Sequence, residues 1–136
     1  MADFIDFNEG KTELINNGLP ATCRFLLSTK PCSGSGTLKA EDTLAGGVGE
    51  ITGTGYARQS QAEPTAVSGV VSFAQMEWKT EAHTDWPASV KSIILVTSAD
   101  NSGKAICAWN LQAGGGARDL SQASTTEQVT PSLTLT

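Results

Sequence analysis

Hydrophobic residues in this chain fall in short runs separated by polar, glycine-rich breaks, the spacing expected of strands joined by turns. The clearest case is residues 90–111. Val90-Lys91-Ser92-Ile93-Ile94-Leu95-Val96-Thr97 leads into Ser98-Ala99-Asp100-Asn101-Ser102-Gly103, and Lys104-Ala105-Ile106-Cys107-Ala108-Trp109-Asn110-Leu111 leads out. Two β-branched, apolar arms flank a turn of residues that tolerate tight backbone geometry, so the segment predicts a β-hairpin. Side chains alternate along a strand. Ile93 and Leu95 therefore share one face, and Ile94 and Val96 the other. Burying one such side chain is worth roughly 1.5–3 kcal/mol, so both faces require cover. One cover is the second sheet of a sandwich. The other must be a helix, a loop or a neighbouring subunit.

The remaining segments read in order. Residues 3–17 place Phe4, Phe7, Leu14 and Ile15 near one helical stripe, and predict an extended arm over 3–7 followed by a short helix over 9–16. Asn8 is the expected N-cap and Gly18 the expected residue just past its end. Residues 21–29 form a strand with Cys23, Phe25 and Leu27 toward the core, and Thr22, Arg24, Leu26 and Ser28 facing away. Residues 31–36 are a flexible turn. Residues 38–44 are a helical turn or short strand, and 50–52 and 56–59 are short strands around the bend at Gly53-Thr54-Gly55. Residues 67–79 are the longest extended candidate. Its apolar parity changes between Phe73 and Ala74, which predicts a β-bulge or bend there. Leu133 and Leu135 alternate with Ser132, Thr134 and Thr136, predicting a one-sided strand at the C-terminal end of the sequence.

With 136 residues the chain divides into an N-terminal arm and helix, 1–19, and one β domain, 20–136. Such a length builds a real core without disulfide or metal staples. The fold class is all-β: an antiparallel β-sandwich, jelly-roll-like, of about seven or eight strands with a short N-terminal helix. The net charge of −5, without a Lys or Arg stripe, argues against nucleic acid and anionic membrane surfaces as partners. No apolar run approaches the length of a spanning helix, about 18 residues. The acidic start Met1-Ala2-Asp3-Phe4-Ile5-Asp6 predicts no secretory signal. Cys23, Cys32 and Cys107 are odd in number and lack C-x-x-C spacing, as expected for free thiols in a reducing cytosol, although a Cys23–Cys107 pair between strands remains open.

Candidate chemistry is sparse. Glu81-Ala82-His83-Thr84-Asp85-Trp86-Pro87 holds the single histidine beside carboxylates, but a metal site needs more ligands than this. Trp86-Pro87 is expected to anchor its loop. The glycines of 45–55 lack the Gly-Lys-Ser/Thr or G-x-G-x-x-G context of a phosphate cradle. Asp100-Asn101-Ser102-Gly103 lacks the alternating acids of a calcium loop. No nucleophile elbow or Cys–His pairing stands out, so the expectation is a protein that is not an enzyme, with no catalytic residues, metal or cofactor.

Several segments together resemble a known family. Arg24-Phe25-Leu26-Leu27-Ser28-Thr29 precedes a glycine-rich link. Glu50-Ile51-Thr52-Gly53-Thr54-Gly55-Tyr56-Ala57-Arg58-Gln59 follows, then Val71-Ser72-Phe73, an aromatic at Trp86, the arm from Ile93 to Val96, Ala108-Trp109, and Leu133-Thr134-Leu135-Thr136. Over residues 12–136 this order is similar to small β-sandwich virion structural proteins of tailed bacteriophages, variously described as capsid decoration or tail-fibre-like proteins. The loops at 80–89 and 114–123 are longer than the family pattern, and the N-terminal arm is not part of it. The resemblance implies a structural protein of the virion, made in the host bacterial cytoplasm. Its foremost role would be a capsid decoration (cement) protein that binds the assembled shell. The implied partners are the major capsid protein or other virion proteins, and further copies of itself, as a homotrimer on symmetry grounds. The alternative is a tail-associated or fibre-like module contacting host surface glycans. No catalytic residue is carried over from the family. The residues expected at subunit interfaces are Phe4, Phe7, Ile94 and Val96.

Overall fold

The structure, a computed structural model, describes residues 3–33 and 36–134. In chain order the elements are β1 (Phe4–Asp6), α1 (Asn8–Asn17), β2 (Thr22–Ser28), β3 (Gln59–Ala62), β4 (Val70–Ser72), β5 (Met76–Lys79), β6 (Ser92–Val96), β7 (Ala105–Asn110), β8 (Thr126–Val129) and β9 (Ser132–Thr134). The fold is all-β and sandwich-like, with one short helix. The expectations for Met1 and Ala2, for Gly34 and Ser35 in the predicted turn, and for Leu135 and Thr136 in the terminal strand lie outside the described residues.

One layer is a five-stranded antiparallel sheet in the order β1-β7-β6-β2-β3. Its centre is the predicted hairpin: β6 pairs with β7, Ile93 opposite Trp109 and Leu95 opposite Cys107, with a register shift between Leu95 and Val96. The other neighbour of β6 is β2, Phe25 opposite Leu95 and Leu27 opposite Ile93. The facing layer is two separate two-stranded ribbons, β4–β9 and β5–β8. The odd face of β2 and β6 (Cys23, Phe25, Leu27, Ile93, Leu95) packs on Val71, Phe73, Met76, Trp78 and Leu133 from the ribbons. Phe25 and Phe73 meet edge to face at 5.0 Å between ring centres, a geometry favoured by the ring quadrupoles.

The predicted extended segment 67–79 breaks where its parity changes. The structure makes two strands with different partners, β4 on β9 and β5 on β8, where the sequence suggested one bulged strand. The strand expected over 56–59 lies at Gln59–Ala62, and 50–52 is reduced to an isolated bridge between Ser28 and Glu50. In both segments tertiary hydrogen bonds, described below, take the place of a ladder.

The second face of the hairpin is covered from within the chain. Leu26, Ile94, Val96, Ala105 and Ala108 form a second cluster with Phe7, Cys32, Leu38, Leu44 and Val48. Residues 38–48 are thus the loop cover that the sequence left as one of three options. Phe7, Ile94 and Val96 are each 0 % exposed. That corrects their assignment to a subunit interface: their apolar surface is already removed from water by Leu38, Leu44 and Val48. Leu26, expected to face away from the core, is likewise buried here. Within the N-terminal segment 1–19, β1 pairs with β7 as an edge strand of the main sheet.

The helix begins one residue earlier than expected. Phe7 is its extended N-cap and provides no side-chain cap, while Asn8 is the first helical residue. Its end is as the sequence requires: Gly18 has φ 73° and returns its N–H to Leu14 O, a backbone geometry that glycine adopts without strain. What fixes the helix on the sheet is Gly10, which is buried directly against the backbone of β7 at Ala105 and Ile106.

Candidate functional site

With Gly10 facing the sheet, the helical stripe read from sequence splits. Leu14 turns inward and is half-buried against the main core. Ile15, one step around the helix, is 84 % exposed. The two-stranded β9 ribbon does not pair with β1, so a gap is left between the helix, the sheet edge and the ribbon. It forms a mainly apolar groove of about 440 Å³ whose walls are Phe4, Leu14, Ile106 and Leu133, with Ile15 on its lip. Cys107 lies at its floor. The Asp6–Lys11 pair, 3.8 Å apart and about half exposed on both sides, also lines it. An exposed pair of this kind adds little stability. Trp109 fixes Phe4 by an edge-to-face contact at 5.7 Å and donates its indole N–H to Ser132 O at 2.8 Å. Of the four expected interface residues, only Phe4 therefore reaches a surface groove. Leu14 and Ile15 were visible in the sequence as apolar helical positions. What placed Ile15 outside is the close approach of Gly10, which an apolar count does not reveal.

The most polar constellation gathers on Arg58, within the Gly55-Tyr56-Ala57-Arg58-Gln59 segment. Its guanidinium grips Glu50 twice, Nη2 to Oε1 at 2.7 Å and Nε to Oε2 at 2.9 Å. It also donates to Ser98 O, Asp100 O and Asn101 Oδ1. Tyr56 donates its hydroxyl to Glu50 Oε2 at 2.9 Å and accepts from Leu27 N at 3.1 Å. Burial, reinforced by the nearby Glu50 charge and only partly offset by the hydrogen bond from Leu27 N–H, raises the Tyr56 phenol above its ordinary pKa. This is a clasp: one planar, five-donor cation ties residues 50–58 to the β6–β7 turn. Arg58 is 8 % exposed at its side chain, and every group around it is occupied by another protein group. Asp100 Oδ1 meanwhile accepts from Ser102 N and Oγ, and the Ser102 hydroxyl leads the contacts that lower the Asp100 pKa. The turn, which lacks the acids of a calcium loop, is an Asx turn whose carbonyls face a guanidinium.

The His83 loop is held by Trp86 and Asp85. Trp86 is buried, meets Tyr56 edge to face and donates its N–H to Thr54 O. Asp85 accepts from Thr54 N and Oγ1, and the Thr54 hydroxyl is the leading cause of its lowered pKa. The expected anchoring by Trp86 is what the structure has. Among the described residues, no three His, Cys, Asp or Glu side chains converge as metal ligands would.

The three cysteines are buried and unpaired. Burial raises the thiol pKa of Cys23 to about 11 and of Cys32 to about 12, and pushes Cys107 up as well. A protonated, enclosed thiol is a poor nucleophile and a poor metal ligand, so these side chains serve as core groups. The polar groups described above hold loops to one another, and the groove between β1, α1 and β9 is an open, mainly apolar concavity. Comparisons of the chain with protein-family models, curated proteins and solved structures find no match.

Proposed function

We propose that this protein is a structural subunit of a bacteriophage particle, foremost a capsid decoration protein, which attaches to its neighbours through the groove lined by Phe4, Leu14 and Leu133. The observation that carries the reading is Ile15, a large aliphatic side chain 84 % exposed on the lip of that apolar groove. Exposed aliphatic surface next to a concave apolar patch is the kind of surface that association covers. The order of segments that resembles small virion β-sandwich proteins supplies the class of partner: the major capsid protein, other virion proteins or further copies of this chain. A subunit that binds only the assembled shell adds its binding free energy to the stability of that shell.

The alternative of a fibre-like module reading host glycans draws less support from the aromatic residues. Trp78 and Trp86 are buried, and Trp109 is packed among Phe4, Phe25 and Phe73 with its N–H engaged. Stacking platforms for sugars need open aromatic faces.

The test is co-sedimentation of purified protein with particles assembled without it, together with sedimentation velocity of the protein alone, for the wild type and Ile15→Asp. Ile15 is too exposed for the substitution to disturb the core, so the melting temperature is expected to stay within about 2 °C, equivalent to roughly 0.5 kcal/mol. The expected result is loss of particle binding, of self-association or of both in the variant. A wild type that remains monomeric and leaves particles bare refutes the reading. So does a variant that binds as the wild type does.

A further inference from the structure

The face of the main sheet that carries Ile94 and Val96 is closed by residues 38–48, and this segment is held differently from everything around it. It buries Leu38, Leu44 and Val48, yet it joins no sheet. Its only bridges are internal, from Thr43 to Gly46 and Gly47. Its ends are tied: Leu38 N donates to Pro31 O, and Thr29 N to Gly49 O just beyond Val48. Between these ties, Asn8 N donates to Ala40 O, and the Lys30 ammonium reaches Gly47 O from an exposed position. At the far end the buried Ser28 hydroxyl, on β2, also donates to Val48 O, and the link to the middle of the segment is Glu9. One carboxylate oxygen, Oε2, accepts from Leu44 N at 2.8 Å and from Ala105 N at 2.7 Å, so a single side chain on α1 joins the middle of the segment to β7. Lys104 Nζ stands 4.0 Å from the other oxygen.

We propose that residues 38–48 are a hinged cover that opens as one unit on its tied ends while β2, β6 and β7 stay folded, and that Glu9 is its latch. The physical ground is the difference in what each part must break. The strands beneath are held by ladders on both sides and by the main core on their other face. The cover has no ladder. Lifting it releases a few hydrogen bonds and three side chains, leaving the main core intact, which is the description of a low-energy local opening. The open form presents Phe7, Leu26, Ile94 and Val96, the apolar face that the sequence marks as needing a partner. The proposal does not depend on the virion reading.

Native-state amide exchange of the full chain in sub-denaturing urea tests this, on the wild type, Glu9→Ala, Glu9→Gln and Phe73→Leu. In the wild type, amides of 38–48 are expected to exchange with less protection and a smaller urea slope than those of Leu26 and Ile94. Glu9→Ala removes both acceptor contacts and is expected to speed exchange in 38–48 about 10- to 100-fold. Glu9→Gln keeps a neutral acceptor oxygen and should give a smaller acceleration. It also serves as the reading if Glu9→Ala does not fold. Phe73 packs only in the main core. Phe73→Leu weakens the closed and cover-open forms alike, so it should speed exchange in β2 and β6 and leave 38–48 unchanged. The hinged cover is overturned if 38–48 share the protection and slope of β2 and β6 in the wild type, or accelerate with them in Phe73→Leu. The latch is overturned if 38–48 exchange at the wild-type rate in both Glu9 variants.

Discussion

Replacing Gly10 with alanine pits helix propensity against packing, and the structure says which wins. Alanine in a helix interior is favoured over glycine by about 0.8–1 kcal/mol, so a reading of the helix alone expects stabilisation. In the fold, a β-carbon at Gly10 would stand 2.6 Å from Ala105 O and closer still to Ile106 Cα and O. These are backbone atoms of a strand paired on both sides, and they cannot swing away as a side-chain tip would. Restoring an ordinary separation requires the helix to lift from β7 by about 1 Å, and overpacking of this kind costs about 1–3 kcal/mol. The same displacement stretches the contacts of Glu9, the preceding residue, with Leu44 N and Ala105 N. Hydrogen bonds to a charged group are worth about 1.5–3 kcal/mol each. Taking the middle of the packing cost, one such bond lost and the propensity gain, the net expectation is destabilisation by about 3 kcal/mol. At about 2.1 cal/mol/K per residue, the unfolding entropy of 136 residues converts this to a fall in Tm of about 10 °C. Urea unfolding followed by tryptophan fluorescence, with calorimetry for Tm, measures it. Thr12→Ala, at an exposed position of the same helix, is the control, expected neutral to stabilising by about 0.5 kcal/mol. If Gly10→Ala is as stable as the wild type or more so, the helix does not sit on β7 as described.

The clasp predicts that Arg58→Lys, which keeps the charge but loses the fork, destabilises by about 2–3 kcal/mol. That is less than for a fully buried pair, because Glu50 is partly exposed. An unchanged urea midpoint would show the clasp to be dispensable. Gly53→Ala would put a β-carbon 2.8 Å from Trp86 Cγ. It should displace the indole, shift its fluorescence and cost about 1–3 kcal/mol; an unaltered emission spectrum counts against the contact. Stability should also fall in alkali. Burial holds the Cys23 thiol at about 11 and the Cys32 thiol at about 12, above an unfolded value near 9.0. Above pH 9 the unfolded chain therefore releases protons that the folded chain keeps, and the equilibrium moves toward unfolding. The contribution is fully present below pH 9 and declines toward pH 11–12. A urea midpoint that stays level from pH 8 to 10.5 would refute it.

How much of this was legible beforehand follows from the range over which each feature is decided. Strand alternation is local, so β2, the β6–β7 hairpin and the core face of Cys23, Phe25 and Leu27 could be read from neighbouring residues. The break near Phe73 could be located from its parity change. Its consequence, a change of strand partner, could not, because pairing is settled by distant β8 and β9. The interface expectation failed at Phe7, Ile94 and Val96 for a related reason. An apolar face states that cover is needed but not who supplies it, and residues 38–48 carry their three anchors among glycines and charges with no periodicity to give them away.

By itself, then, the sequence determined an all-β chain with a two-faced central hairpin, a short amphipathic helix and no recognisable catalytic motif, because these depend on the order of apolar and polar residues over a few positions. Only the tertiary structure decided that the second face is closed by the chain's own loop, that Arg58 is a clasp, and that Gly10 turns Ile15 outward beside a groove. Each of those depends on backbone from far along the sequence arriving within a few ångströms, and local pattern holds no record of such meetings.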